Sequence, residues 1–215
     1  MIEALRSALR GPLPGATAWA RMIPAWSREA SPVERPWRDA AVLILIHPLG
    51  PGLGFPLLVR SDGLPHHSGQ IGLPGGAREG TESFEETALR EAEEEIGVPG
   101  GSVELLGSLS RLRIARSGYD VQPFVGWTPA TPSYKLQESE VAGLIDAPLS
   151  FLCEPGAEGE AELSVDGGQR LVPCYRVSGR VVWGATAMML AELADLLAAC
   201  QGQDAPSAVM AAFRP

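Results

Sequence analysis

A glutamate-rich segment bounded by glycines constrains the fold of this chain more than any other feature. Residues 75–98 read GGAREGTESFEETALREAEEEIGV, with eight glutamates and two arginines. Apolar side chains recur there every fourth residue, which predicts a helix over residues 83–96 with one buried stripe. The stripe consists of Phe84, Ala88, Ala92 and Ile96. Thr81 is the expected N-terminal cap of this helix, and Gly97 is the expected stop.

Three of these glutamates are expected to be neighbours on one face of the helix. Glu91, Glu94 and Glu95 stand at i, i+3 and i+4, so their like charges repel one another. Two interpretations are open: a solvated acidic face, or a site where a hard divalent cation such as Mg²⁺ binds the carboxylates. Arg90 has Glu86 four residues before it and Glu94 four residues after it, and a bidentate pair would hold a carboxylate in a fixed orientation.

Strands and helices alternate along the rest of the chain, which favours a layered α/β fold. Apolar runs at 40–46 and 55–60, separated by a glycine-rich turn, predict a hairpin of two strands. A short strand is expected near the end of the loop over 61–76. The other expected elements are strands near 103–109, 121–127, 175–177 and 180–183, a short helix at 149–151, a loop over 156–168 and an amphipathic helix over 186–199.

The length of 215 residues allows one sizeable core and an extension. We expect an N-terminal extension over residues 1–38, a main domain over 39–200 and a C-terminal tail over 201–215. Ile2, Leu5 and Leu9 predict a short amphipathic helix in the extension, ended by Gly11-Pro12. The methionine-rich helix near 188–197 fits core packing or a subunit contact, which leaves a homodimer open.

Charge and composition restrict the partners of this chain. A net charge of −9 argues against a general nucleic-acid binder, which carries a basic surface. No segment reaches the roughly 18 apolar residues that span a bilayer. The three cysteines show no CxxC spacing, which favours a reducing compartment, and the N-terminus lacks the apolar core of a signal peptide. Cytoplasm is therefore the expected location, without a membrane or nucleic-acid partner.

The spacing of the glycine-bounded segment matches one known pattern at every position. The pattern G-x5-E-x7-R-E-U-x-E-E-x-G-U, where U is apolar, is filled by Gly76, Glu82, Arg90, Glu91, Ala92, Glu94, Glu95, Gly97 and Val98. The segment resembles the Nudix box. This resemblance implies an α/β/α sandwich with a mixed sheet and a loop-helix-loop Nudix box. It also implies a pyrophosphohydrolase whose small-molecule substrate is a nucleoside diphosphate linked to a further group.

The resemblance also implies roles for individual residues. Glu91, Glu94 and Glu95 would bind Mg²⁺ or Mn²⁺, which neutralises phosphoryl charge and lowers the pKa of a bound water. Arg90 and Glu82 would support the loop-helix-loop. The remaining two implied roles belong to Gly75 and Gly76, which would let the backbone turn sharply beside the substrate.

A further carboxylate outside the helix often completes such a site. Glu140, in ESEVAGLIDAPL, is the candidate, because a similar acidic-plus-valine segment follows the box in related enzymes. The alternative is that Glu140 is an ordinary surface residue before a strand.

The loop before the box narrows the resemblance to the coenzyme A pyrophosphatases, whose signature is L-L-T-x-R-S-x3-R-x3-G-x3-F-P-G-G. Seven of eleven fixed positions match, and Pro56, Leu58, Pro65 and Leu73 depart from it. The segments GYDVQPFVG and VWGATAMMLAEL are also similar to this subfamily, so the resemblance covers residues 40–197. It implies cleavage of coenzyme A or its thioesters to adenosine 3′,5′-bisphosphate and 4′-phosphopantetheine.

Such a substrate needs cations for its phosphates, and arginine suits bidentate phosphate contact. Arg60 is the first candidate and Arg116 the second, with Arg111 and Arg113 also available. The pair His66-His67 fits a phosphate or metal contact, or simple exposure. The tryptophans fit adenine stacking or core packing. Two other functions stay open: a Nudix enzyme acting on ADP-ribose or a dinucleoside polyphosphate, and a nucleotide-binding regulator without catalysis.

Overall fold

Four α-helices, three short 3-10 helices and eleven strands are found in residues 1–27, 36–61 and 70–204, the part of the chain that this computed structural model describes. The 3-10 helices are Ala25–Ser27, Gly100–Ser102 and Leu149–Cys153, and the last of these confirms the short helix predicted at 149–151. The helices are α1 (Ile2–Leu9), α2 (Ala16–Trp19), α3 (Phe84–Ile96) and α4 (Gly184–Asp204). The strands are β1 (Arg38–Leu49), β2 (Gly52–Arg60), β3 (Ile71–Gly72), β4 (Gly75–Ala77), β5 (Glu104–Ser108), β6 (Leu112–Ile114), β7 (Tyr119–Trp127), β8 (Val141–Pro148), β9 (Glu158–Val165), β10 (Gly168–Val177) and β11 (Arg180–Trp183).

The larger sheet is mixed and is centred on β1. This strand pairs in parallel with β7 and antiparallel with β2 and β4. The strand order is β3-β2-β1-β7-β5, and in addition β8 pairs with β2 and β6 pairs with β7. The predicted hairpin is confirmed, with His47 opposite Gly54. Strands β9, β10 and β11 form a separate antiparallel sheet.

Apolar side chains alternate along β1 and are buried on both faces of the sheet. Leu43 and Leu45 join the cluster that includes Ile96 of α3. Ile44 and Ile46 point the other way, into the cluster that includes side chains of α1 and α4. Each such side chain contributes roughly 1.5–3 kcal/mol when fully buried. Helices therefore cover both faces, which confirms the predicted α/β/α sandwich.

Two local predictions were wrong. The cap of α3 is Ser83 rather than Thr81: Ser83 Oγ accepts a hydrogen bond from Glu86 N (3.2 Å), and Glu86 Oε2 accepts one from Ser83 N (2.7 Å). Serine followed by glutamate three residues later satisfies two helix-start donors at once. The expected loop over 156–168 contains β9, which turns into β10 through Asp166 and Gly167, both at positive φ.

The N-terminal segment packs against the main core. Leu5 and Met22 are buried in the same cluster as the apolar side chains of α4. The predicted helix at residues 2–9 is confirmed as α1. The methionine-rich helix is confirmed as core, since Met189 is buried and Met188 packs against the cluster.

No helix within the described ranges is both long and apolar enough to cross a bilayer. The helix α4 runs to Asp204, which is four residues into the expected tail, and residues 205–215 lie outside the described residues.

Candidate active site

The helix α3 is fixed at both ends, and this determines where its glutamates lie. The capping box at Ser83 sets its start, and Gly97 ends it in the left-handed conformation at φ 71°. A loop then packs against this end: Lys135 N donates to Ile96 O (2.9 Å), and Gln137 N donates to Glu95 O (3.1 Å). The carboxylates of the last two turns therefore stand on a rigid support.

Arg90 is the centre of an ion-pair network on α3. Its guanidinium binds both carboxylate oxygens of Glu82 (3.1 and 3.0 Å) and donates to Ala77 O (3.0 Å). The Nη1 atom of Arg90 also donates to Glu91 Oε1 (2.9 Å) and Glu94 Oε2 (3.0 Å). The Arg90 hydrogen bond holds the pKa of Glu82 down at about 2, and the carboxylate hydrogen bonds raise the pKa of Arg90. The predicted supporting pair of Arg90 and Glu82 is thus in direct contact.

Glu95 is a buried carboxylate with few donors. Glu95 is only 2% exposed, and its Oε2 accepts a hydrogen bond from Gly75 N (2.8 Å). Burial raises the pKa of Glu95 to about 7; the Gly75 N–H and Arg60 act against this rise, while Glu91 and Glu140 add to it. Burial likewise raises the pKa of Glu91, against the effect of Arg90. Clustered, partly desolvated carboxylates of this kind mark functional sites.

Glu140 lies at the edge of this cluster, directly before β8. Its charge acts on both Glu91 and Glu95, raising the pKa of each. Its backbone O accepts a hydrogen bond from Ser61 N (2.9 Å), which ties the end of β2 to the loop before β8. The structure thus brings the predicted outlying carboxylate together with the glutamates of α3.

Arg60, the last residue of β2, is a second cation near the cluster, after Arg90. Its charge acts on Glu95 and lowers the pKa of that carboxyl. The Arg60 Nε atom is buried and has no hydrogen-bond partner in the described part of the chain. A buried donor without a partner is rare in folded proteins, and a bound ion or ligand is one explanation for it.

The two glycines before the helix lie in β4, where they contact the carboxylates. Gly75 has φ 155°, and a side chain there would lie 2.6 Å from Val42 Cγ1. A Cβ at Gly76 would collide with the carboxylate of Glu91. In place of the sharp turn expected at this point, the structure has the short strand β4, which pairs with β1. Only glycine lets the glutamates of α3 approach this strand so closely.

Several other predicted residues lie outside this cluster. Arg116 forms a bidentate ion pair with Asp166 (2.5 and 2.6 Å) in the turn between β9 and β10. Arg111 and Arg113 both bind Asp120. The pair His66-His67 and the departure at Pro65 fall in residues 62–69, outside the described residues.

The chemistry of the cluster fits a hard cation. Glu91, Glu94, Glu95 and Glu140 offer only carboxylate oxygens, the ligand type that Mg²⁺ and Mn²⁺ prefer. Among the described residues, no group of three or more His, Cys, Asp or Glu side chains is already arranged around one point. Arg90 holds Glu91 and Glu94, and the Gly75 amide holds Glu95. A cation would therefore compete with these donors for the carboxylates.

Comparison with known proteins decides the family. Residues 37–144 match the NUDIX domain. The chain is also 37% identical over 159 residues to NudL of Yersinia pestis (strain Pestoides F), an uncharacterized Nudix hydrolase, across 74% of this chain and 79% of that relative. The chain belongs to the Nudix hydrolase family. The family predicted from the box is thus confirmed.

Solved structures agree on the Nudix fold. The Nudix hydrolase RenU of M. smegmatis superposes with a TM-score of 0.51 at 15% identity, across 84% of this chain and 91% of that one. A MutT/nudix family protein of Enterococcus faecalis gives a TM-score of 0.50 at 16% identity, across 85% and 73%. At these identities the likeness concerns the fold.

Two features of the site were missing from the sequence reasoning. The loop at 135–137 supports the end of α3, and Ser61 is tied to Glu140. Both contacts join segments that are tens of residues apart, so no local sequence pattern predicts them. The one signal that the sequence offered for the loop at 135–137 was that its first residue, Lys135, is the only lysine in the sequence.

Proposed function

We propose that this Nudix hydrolase cleaves the diphosphate of coenzyme A or of its thioesters, with Mg²⁺ or Mn²⁺ held by Glu91, Glu94 and Glu95. The products are adenosine 3′,5′-bisphosphate and 4′-phosphopantetheine. The observation that carries the proposal is the carboxylate cluster of α3 together with Arg60, whose charge acts on Glu95 and whose buried Nε has no hydrogen-bond partner among the described residues. Arg60 also belongs to the coenzyme A pyrophosphatase signature.

The glutamates are suited to hold a divalent cation because their negative charge is concentrated and poorly solvated. Burial first, and then the neighbouring carboxylates, raise the pKa of Glu91 and of Glu95, so both groups are costly to ionise in the absence of a cation. A bound cation removes that cost, neutralises charge on the phosphoryl oxygens and lowers the pKa of water. Arg90 keeps two of the carboxylates oriented while Glu82 holds Arg90.

The remaining residues of the cluster act on the substrate and the water. Arg60 is assigned to the diphosphate, since its charge acts on Glu95, its buried Nε has no described hydrogen-bond partner, and arginine forms charge-assisted bonds to phosphate oxygens. Glu140 is assigned to accept a proton from the attacking water, because its charge reaches Glu91 and Glu95 without belonging to α3. Gly75 and Gly76 place the β4 backbone against the carboxylates, and their side of the site is where the substrate would lie. Arg116, held by Asp166, stays a weaker proposal as a substrate contact.

A substrate panel tests the proposal. The enzyme would be assayed with Mg²⁺ and with Mn²⁺ on coenzyme A, acetyl-coenzyme A, ADP-ribose and a dinucleoside polyphosphate, with chromatography of the nucleotide products. We expect coenzyme A or its thioester to give the highest kcat/KM and to release adenosine 3′,5′-bisphosphate. Cleavage of ADP-ribose with coenzyme A untouched would overturn the substrate assignment and favour the other Nudix chemistry.

The metal assignment is tested by replacing Glu94 and Glu95 with glutamine together. Turnover should be abolished while the circular dichroism spectrum stays that of the wild type, because both substitutions preserve side-chain volume. The matched control is Glu85→Gln, an exposed glutamate in the first turn of the same helix. Unchanged turnover in the double variant would refute the metal site, and loss of turnover in the control would show a non-specific effect.

A further inference from the structure

A pocket of about 870 Å³ lies next to the carboxylate cluster. Its described lining consists of Ser61, Lys135, Leu136, Glu138, Val141 and Ala142. Two of the lining residues are sequence neighbours of the site: Ser61 follows Arg60, and Val141 follows Glu140. Hydrogen bonds from Lys135 N to Ile96 O and from Ser61 N to Glu140 O connect both sides of the pocket to the site.

Lys135 supplies the pocket with its one described cation. It is the only lysine in the sequence, and its side chain is exposed. Within residues 1–27, 36–61 and 70–204 no carboxylate lies within ion-pair distance of its ammonium, whereas Arg90 on α3 is paired with Glu82, Glu91 and Glu94. The pocket thus contains a positive charge that the fold itself does not use.

The backbone under Lys135 is fixed on three sides. Its amide binds the end of α3, and its Cβ packs over Gly97, where an added Cβ would lie 2.8 Å away. The preceding residue, Tyr134, places its hydroxyl 2.9 Å from the Nε2 of the buried His47. The base of the lysine side chain is therefore rigid, and only its flexible stem and charged tip are free to meet a ligand.

We propose that Lys135 binds a phosphate monoester that the substrate carries outside its diphosphate, and so selects substrates bearing that group. This rests on the proposed function, in which the glutamates and Arg60 take the diphosphate. A second phosphate needs its own cation in a chain of net charge −9. Lysine acts as a compact point charge, which suits a phosphate held without bidentate geometry. Glu138 lines the same pocket and opposes the anion, so removal of Lys135 leaves the pocket negative.

The kinetic test compares two substrates that differ in one group: coenzyme A and 3′-dephospho-coenzyme A. Lys135→Met keeps the apolar stem and removes the charge. It should raise KM for coenzyme A about tenfold, with kcat and the KM for the dephospho compound both within about twofold of wild type. Glu138→Gln should lower KM for coenzyme A alone, and Lys135→Arg should restore much of the wild-type value. The control is Arg180→Met, an exposed cation on the smaller sheet.

A binding test separates this inference from the proposed function. Because the chain has a single lysine, acetylation of its side chain by an N-hydroxysuccinimide ester is read directly by mass spectrometry. Adenosine 3′,5′-bisphosphate should protect Lys135 at concentrations where adenosine 5′-monophosphate does not. If coenzyme A is not cleaved but the bisphosphate protects, the proposed function fails and the phosphate site stands. Equal protection by both nucleotides, or equal kinetic effects on both substrates, would overturn the site.

Discussion

Glu95 on α3 and Glu192 on α4, the two buried glutamates among the residues that the structure describes, have opposite environments. Glu192 is 0% exposed and accepts four hydrogen bonds: from Gly15 N (3.2 Å), Trp19 Nε1 (3.0 Å), Ser110 N (3.1 Å) and Ser110 Oγ (2.6 Å). Glu95 is 2% exposed, and the described hydrogen bond to its carboxylate comes from the amide of Gly75. The carboxylates of Glu91 and Glu140 act on Glu95, whereas the groups around Glu192 donate hydrogen bonds to it.

We interpret this difference as one between a structural carboxylate, Glu192, and the proposed metal-binding carboxylate, Glu95. Burying a charge is expensive unless donors compensate for it. Glu192 is compensated by the fold and joins the N-terminal segment to α4 and to the loop after β5. Glu95 is left with a pKa of about 7, so the fold stores a destabilising arrangement that a cation would relieve. Burial alone therefore does not identify a site, whereas burial among like charges marks Glu95 as the candidate.

The largest expected effect is that of Glu95→Gln on catalysis. We expect turnover to fall about 10³-fold, because a metal-binding carboxylate supports several kcal/mol of charge stabilisation. The free energy of unfolding should not fall, since a neutral amide suits this buried position better than a carboxylate among like charges. Steady-state kinetics and urea denaturation of the same preparation measure both quantities. Wild-type turnover in this variant would contradict the functional role proposed for Glu95.

Glu192→Gln should show the reverse pattern. The amide offers one acceptor oxygen where the carboxylate offers two, and its NH₂ group would face donors. We expect the free energy of unfolding to fall by about 3 kcal/mol, while kcat at low temperature stays within about twofold of wild type. Urea denaturation followed by tryptophan fluorescence is the measurement. A large loss of kcat at full stability would contradict the structural role of Glu192.

The pH dependence of stability should distinguish the same two residues. With divalent cations chelated, native Glu95 keeps its proton up to about pH 7, whereas in the unfolded chain it ionises near its ordinary pKa of 4.5. The native state therefore binds more protons between these values, and stability falls as pH rises from about 4.5 to 7. The loss attributable to Glu95 is about 3 kcal/mol. Glu95→Gln should flatten this slope, and Glu192→Gln should leave it in place.

The smallest effect is expected at the start of α3. Ser83→Ala removes one half of the capping box and should lower the free energy of unfolding by about 1 kcal/mol. Turnover should change less than twofold, because the last two turns are held separately by Gly97 and the loop at 135–137. A tenfold loss of turnover would show that the glutamate geometry depends on the cap.

The part of the site that sequence predicted is the part encoded locally. The positions of Glu91, Glu94 and Glu95 on one helical face follow from their spacing, and the box gave the family because its residues must contact one another within one loop and one helix. The contact between Arg90 and Glu82 spans only eight residues. Glu140 was found by resemblance to related enzymes, since its approach to the cluster depends on the packing of β8 against β2.

The rest depended on contacts between distant segments. The donors of Glu192 lie 177, 173 and 82 residues away from it in sequence, so no local pattern could distinguish it from a surface glutamate. Arg116 was predicted at the substrate, but its partner Asp166 lies in a hairpin that was interpreted as loop. That hairpin did carry a signal: the Asp-Gly pair and the alternation of Ala161, Leu163 and Val165 with polar residues.

The most direct test of the central claim, that the α3 carboxylates hold the catalytic metal, is Mn²⁺ binding to three proteins. Electron paramagnetic resonance of free Mn²⁺ would be used to titrate the wild type, the Glu94→Gln/Glu95→Gln variant and Glu192→Gln at pH 7.5. We predict that the wild type and Glu192→Gln bind with the same Kd, and that the double variant binds at least about tenfold more weakly. Equal binding by all three would contradict the assignment of the metal to α3.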